Sequence, residues 1–127
     1  MLAILDSTVL IDFLRGRPAV RRVRALRDQG DVPATTSINV EEIVRGLRQP
    51  EQGALDALVT GLVVLSIDEA VARLAGRWRR EFAALGTTLW QGDCLIAAAA
   101  QVSGARLCTG NPKDFPMLDV DHWPVGE

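Results

Sequence analysis

Four short apolar runs punctuate the chain: Leu2-Ala3-Ile4-Leu5, Val32 to Thr35, Leu62-Val63-Val64-Leu65 and Ala105-Arg106-Leu107-Cys108-Thr109. Each is too short for a stable helix, and most lack the polar alternation of a strand with one wet face. Runs of this kind read as strands buried on both sides. The segments between them carry helical spacing instead. Ser7 to Arg15 has apolar residues at 9, 10, 13 and 14 and stops at Gly16. Pro18 opens a helix to about Asp28, and Ser37 is placed to cap one running through Leu47. Further helices are expected from about Glu51 to Thr60, from Asp68 to Leu85 before Gly86, and from Asp93 to Val102 before Gly104. Met117 to Val120 could add an edge strand. Strands alternating with helices predict an α/β fold of three layers, with a central parallel sheet flanked by helices. In such sheets ligands bind beyond the carboxyl ends of the strands. Asp6 and the turn after Thr109 both fall there.

A length of 127 residues suits one domain over the whole chain, large enough to stand without disulfides. The start, Met1-Leu2-Ala3-Ile4-Leu5-Asp6, has no basic residue and an acid interrupts its apolar run, unlike a signal peptide. No stretch approaches the roughly 20 apolar residues of a membrane span. Cys94 and Cys108 make no disulfide framework and are expected as small buried hydrophobes, which favours a reducing cytoplasm. Net charge is −2, so a nucleic acid would have to be held by a local basic patch together with bound metal. Thirteen of the 14 basic residues are Arg, with Lys113 the exception. Arg suits phosphate through its planar fork, although a genomic base-composition bias would give the same count.

Four acids stand out. Asp6 ends a buried strand, where it could be a helix N-cap or a functional carboxylate at the sheet's edge. On the third helix Val40, Ile43, Val44 and Leu47 share one face, while Asn39, Glu42 and Gly46 share another. That second face is either solvated or the lining of a cleft. Gly46 would suit a close approach to the backbone there. Glu41 sits at the border and is the weaker candidate. Asp93 shares a stripe with Ile96, Ala97 and Ala100, so it is either an N-cap or an inward acid that needs compensation. Asp114, after Asn111-Pro112-Lys113, is turn chemistry unless the nearby strand end recruits it. Asp12 is expected at the surface or behind the site.

Converging carboxylates repel one another and need cations. Oxygen-only ligands suit Mg²⁺ or Mn²⁺, whereas zinc would want His or Cys. Two such ions about 4 Å apart can activate water and stabilise the leaving oxygen of a phosphodiester. The absences narrow the choice further. His122 is the only histidine, leaving little room for paired-histidine RNA cleavage. No G-x-S-x-G elbow, phosphate-binding P-loop or dinucleotide fingerprint occurs. Asp6-Ser7-Thr8 lacks a second Asp two residues on, which disfavours aspartyl-phosphate hydrolases.

These segments resemble the PIN domain, and within it the VapC-type toxins of bacterial toxin–antitoxin pairs. Leu5-Asp6-Ser7-Thr8-Val9-Leu10-Ile11-Asp12 is similar to the family's opening strand and helix. Ser37 to Gly46 resembles its second motif, where the acid four residues before the glycine is Glu42. Asp93-Cys94-Leu95-Ile96-Ala97-Ala98 resembles the third, and Thr109-Gly110-Asn111-Pro112-Lys113-Asp114-Phe115 the fourth. Many PIN domains carry Asp where this chain has Asn111, and the branch resembled here often supplies an acid before the Phe instead, here Asp114. The resemblance implies a PIN-like fold and an endoribonuclease using Mg²⁺ or Mn²⁺ with water as nucleophile. By analogy Asp6, Glu42, Asp93 and Asp114 hold metal while Asn39 and Thr109 support them. Arg15 and Arg45 are candidates for phosphate or antitoxin contact. The resemblance also implies a homodimer and a VapB-type antitoxin whose tail enters the acidic groove, often presenting an Arg. Two other classes stay open. One is a non-catalytic PIN-like module binding RNA or protein. The other is a phospho-acceptor domain, for which Lys113 could serve as the switch lysine but the acid paired with Asp6 is missing.

Overall fold

The computed structural model describes residues 1–126. Its elements are β1 (Leu2–Leu5), α1 (Ser7–Leu14), α2 (Ala19–Asp28), β2 (Val32–Thr36), α3 (Ser37–Gly46), α4 (Gln52–Thr60), β3 (Val63–Leu65), α5 (Glu69–Ala84), α6 (Gln91–Ser103), β4 (Arg106–Thr109) and β5 (Asp121–His122). Short 3-10 turns precede α4, at Gln49–Glu51, and follow β4, at Pro112–Asp114. The five strands form one sheet in the order β3-β2-β1-β4-β5, and every pairing is parallel. β1 is therefore central, as its unbroken apolar run requires.

Side chains on a strand alternate between faces, and the core divides accordingly. Ala3, Leu5 and Cys108 pack with Val9, Leu10, Val23, Leu26, Leu55 and Leu58, on the side of α1, α2 and α4. Ile4, Ala34 and Leu107 pack with Val71, Ala75, Phe115 and the alanines of α6, on the side of α5 and α6. This gives the three expected layers. Pro33 has no N–H to donate, and it is tolerated because pairing with β3 begins only at Ala34.

The two ends of the sheet differ in chemistry. At the amino ends, Arg106 donates to Asp121 at 2.7 Å and to Asp31 at 2.9 Å, and the Met1 amino group reaches Asp31 at 3.1 Å. One arginine thus ties β4 to β5 and to the turn before β2. The carboxyl ends carry the acids. Among the described residues no helix is long and apolar enough to cross a membrane. Both cysteines are free and buried.

Several local expectations need correction. The edge strand is Asp121–His122, not Met117 to Val120. Thr36, not Ser37, caps α3: its hydroxyl accepts from the Asn39 N–H at 3.3 Å, and the Asn39 side chain returns the bond to the Thr36 N–H. Both residues can cap by composition, and the extended backbone at Thr36 decides. Val44 is 49% exposed rather than part of the buried face of α3, which centres on Ile43 and Asn39. Asp12 is 2% exposed, not a surface residue. Its carboxylate accepts from the N–H of Ala19 and of Gly126, both at 3.0 Å, joining α1 to the start of α2 and to the tail.

Candidate functional site

Asp6 follows the last residue of β1 and stands at the N-cap position of α1, yet it makes no side-chain capping bond. Its carboxylate faces the sheet's edge instead. One oxygen accepts from the Asn39 amide at 3.1 Å, the other from Thr109 at 2.8 Å and from Thr8 at 3.3 Å. Burial raises its pKa, opposed by these hydrogen bonds and that of the Ser7 amide, with Thr109 the strongest.

The partners are themselves fixed. Asn39 is fully buried, its amide carbonyl accepting from the Thr36 hydroxyl at 2.7 Å and its second amide hydrogen going to Ser7 at 3.0 Å. Thr109 ends β4 and is fully buried. Its hydroxyl also accepts from the Asn111 N–H at 3.1 Å, while Thr8 accepts from the Gly110 N–H at 2.9 Å. The turn after β4 is thereby pinned to the start of α1.

Glu42 lies one helical turn beyond Asn39, and its carboxylate accepts from Ser7 at 2.7 Å. Its other oxygen lies 3.4 Å from where a Cβ on Gly92 would stand. The start of α6 thus packs beside the Glu42 carboxylate. Beyond its own helical turn, nothing among the described residues crowds Gly46, so the expected close approach there is not found. Gly46 instead lines a groove with Glu42, Arg15, Ile11 and Leu47. Arg45 is exposed on α3 and does not line that groove.

Asp93 is the third residue of α6, because the helix begins at Gln91 with Trp90 at its cap position. The side chain is thus not the cap. Ile96, Ala97 and Ala100 on its stripe are fully buried, and Asp93 is half-buried. Its carboxyl pKa is pushed up to about 7, first by burial and then by the negative charges of Asp114, Asp6 and Glu42. No hydrogen bond opposes that rise. Asp114 accepts from the Asn111 amide at 2.7 Å. Asn111, the residue at which this chain departs from the common motif, thus orients the acid that follows it.

Of the four acids singled out in the sequence, Asp114, Asp6 and Glu42 each lie within electrostatic reach of Asp93. No three His, Cys, Asp or Glu side chains among the described residues surround a common point closely enough to hold an ion. Asp6, Glu42 and Asp114 are each turned toward a hydrogen-bond donor, and Asp93 has none. The donor chemistry nonetheless fits a hard divalent cation: all oxygen, all anionic, with one half-buried carboxylate lacking a partner. Ser7 and Thr8 are site residues that the sequence reading missed. Hydroxyls directly after a strand-end acid were the available signal.

Residues 3–120 match the PIN domain family. Ribonuclease VapC19 of Mycobacterium tuberculosis is 34% identical over 116 residues, spanning 91% of this chain and 93% of that protein. Ribonuclease VapC10 of the same organism is 33% identical over 117 residues, spanning 91% and 87%. Among solved structures, VapBC2 from Rickettsia felis bound to a promoter DNA fragment superposes with a TM-score of 0.85 at 23% identity, over 97% of this chain and 99% of that one. DNA-bound VapBC from Salmonella typhimurium gives 0.83 at 25% identity, again over 97% and 99%. At such identities the Rickettsia likeness speaks to the fold alone.

Proposed function

The chain belongs to the PIN-domain family, and from that premise we propose that it is a VapC-type toxin, an endoribonuclease that hydrolyses RNA phosphodiester bonds at a Mg²⁺- or Mn²⁺-dependent acidic site. Residues 1–127 act as one PIN-like domain in the cytoplasm, as a homodimer, silenced by a VapB-type antitoxin. Relatives named as ribonucleases and the DNA-bound VapBC neighbour from Salmonella typhimurium support this reading. The observation that carries it is Asp93, a half-buried acid that accepts no hydrogen bond among the described residues and whose pKa is raised first by burial and then by the nearby charges of Asp114, Asp6 and Glu42.

Asp6, Glu42, Asp93 and Asp114 are the metal ligands in this proposal. When bound, the cation supplies a Lewis acid that makes water nucleophilic at neutral pH and offsets charge on the phosphate. Thr109, Thr8 and Asn39 fix both oxygens of Asp6, so this ligand need not reorganise during reaction. Ser7 holds one oxygen of Glu42 and Asn111 one oxygen of Asp114. Asp93 alone among the four accepts no hydrogen bond from the described residues. Hydrolysis adds the water oxygen to phosphorus and breaks the bond to the leaving ribose oxygen, which takes up a proton.

A non-catalytic binding module is the second reading, favoured by the lack of ligand geometry around a common point among the described residues. Cleavage of a total bacterial RNA pool by purified, antitoxin-free protein separates the two. Discrete fragments that need Mg²⁺ or Mn²⁺, disappear in EDTA and are absent with Asp93→Asn are expected of the nuclease. Wild type and variant behaving alike, in protein shown to be folded, would sink it.

A further inference from the structure

We propose that the arginines around the α1–α2 junction form a phosphate-binding trough that guides a single RNA strand to the acidic site. This deepens the ribonuclease reading, which supplies the choice of RNA. Six of the 13 arginines fall between residues 15 and 27, a stretch without a single acid. The sequence periodicity of α2 buries Ala19, Val23 and Leu26, which leaves Arg21 and Arg24 exposed, and Arg17 just before the helix is exposed too.

What makes this more than a solvated charge run is its continuity with the site. A groove beside Glu42 is lined by Arg15. The next is lined by Arg15, Arg17 and Thr8, the residue whose hydroxyl donates to Asp6. Arg17 and Arg21 line a third, and Arg21 and Arg22 a fourth. Each groove shares an arginine with its neighbour, so the cations follow one path leading away from the acids. Among the described residues Arg15, Arg17 and Arg21 make no ion pair, whereas Arg73 and Arg77 of α5 are paired with Glu69 and Glu81. Arg22 is anchored by its bond to the Pro124 carbonyl and forms part of the wall.

A chain with net charge −2 and a carboxylate site repels a polyanion unless cations flank that site. A file of unpaired guanidinium groups offers one phosphate contact after another. An acidic peptide in the same trough would end against like charge at Glu42 and Asp6. A phosphate chain instead meets whatever cation those acids hold.

The test is binding of a fluorescently labelled, mixed-sequence single-stranded RNA in EDTA, which prevents metal-dependent cleavage, over a range of salt. The Arg15→Gln/Arg17→Gln/Arg21→Gln variant is compared with wild type and with Arg73→Gln/Arg77→Gln/Arg80→Gln on the opposite layer, which removes equal charge. The trough variant is expected to bind at least about tenfold more weakly at low salt. Its log–log salt slope should be shallower by about 2, at roughly 0.7 for each phosphate that is no longer neutralised. The α5 variant should stay near wild type, and Lys at the three trough positions should largely restore the slope. Equal loss in both Gln variants, an unchanged slope, or no RNA binding by wild type overturns the proposal. So does a trough variant that keeps RNA but loses affinity for polyglutamate, which would assign the trough to an acidic protein segment. Binding is read without catalysis, so metal-dependent cleavage with an unchanged slope would end the trough alone, and binding with the expected slope but no cleavage would end the nuclease alone.

Discussion

Asn39 shows how much one buried polar residue can settle. Its amide donates to Asp6 and Ser7 and accepts from Thr36, so every polar atom is used. Asn39→Ala leaves those partners unsatisfied in a dry site and should cost about 1–3 kcal/mol in chemical denaturation. If Asp6 is a metal ligand, RNA cleavage should also fall roughly 10–100-fold, the usual cost of losing a group that orients a ligand. Asp93 makes a prediction of opposite character. Its folded pKa of about 7 lies above its ordinary value of 3.8. The folded protein therefore binds that proton more tightly than the unfolded chain. The associated stability is fully present below about pH 3.8 and is lost as pH rises through about 7. Burial pushes Asp6 the same way. In EDTA the wild type should gain more in melting temperature on going from pH 8 to pH 5 than Asp93→Asn does. Saturating Mg²⁺ at pH 8 should recover much of the difference. An identical pH response in the two proteins would mean that Asp93 is not held as described.

At the scale of elements, the two ends of the sheet differ in their side chains. Arg106 sews the amino ends of the strands, at the opposite end of the sheet from the four candidate acids. Arg106→Gln should destabilise the fold by about 1 kcal/mol, the upper range for partly exposed pairs, and leave RNA cleavage per folded molecule unchanged. Asp12→Ala should cost more, about 2–3 kcal/mol, because two backbone N–H groups lose a buried charged acceptor; urea unfolding checks both. The strands and helices were legible in the sequence because short apolar runs and 3.6-residue periods are local properties. Asp6 and Asp93 were legible because both sit at the edge of strongly apolar segments. Asp12 was not, since its partners are backbone groups of Ala19 and Gly126, which periodicity cannot see. Gly46 misled because a missing side chain can line an open groove as well as a tight contact. Ser7 and Thr8 escaped notice because a hydroxyl's role depends on what the fold brings against it, here Glu42 and Asp6.

On the scale of the whole molecule, two opposite charges meet at one rim. Carboxylates gather above β1 and β4, and unpaired arginines line the trough beside α1 and α2. Neither feature is visible in the net charge of −2, which averages them. In the proposed nuclease, Asp6, Glu42, Asp93 and Asp114 act together as a cation site. Calorimetric titration of Mn²⁺ into the antitoxin-free protein at neutral pH tests it directly, beside Asp93→Asn and beside Asp119→Asn, an exposed acid outside the cluster. Saturable binding in wild type and Asp119→Asn that is abolished in folded Asp93→Asn is the predicted result. Wild type taking up no Mn²⁺, or Asp93→Asn binding it as wild type does, would contradict the account.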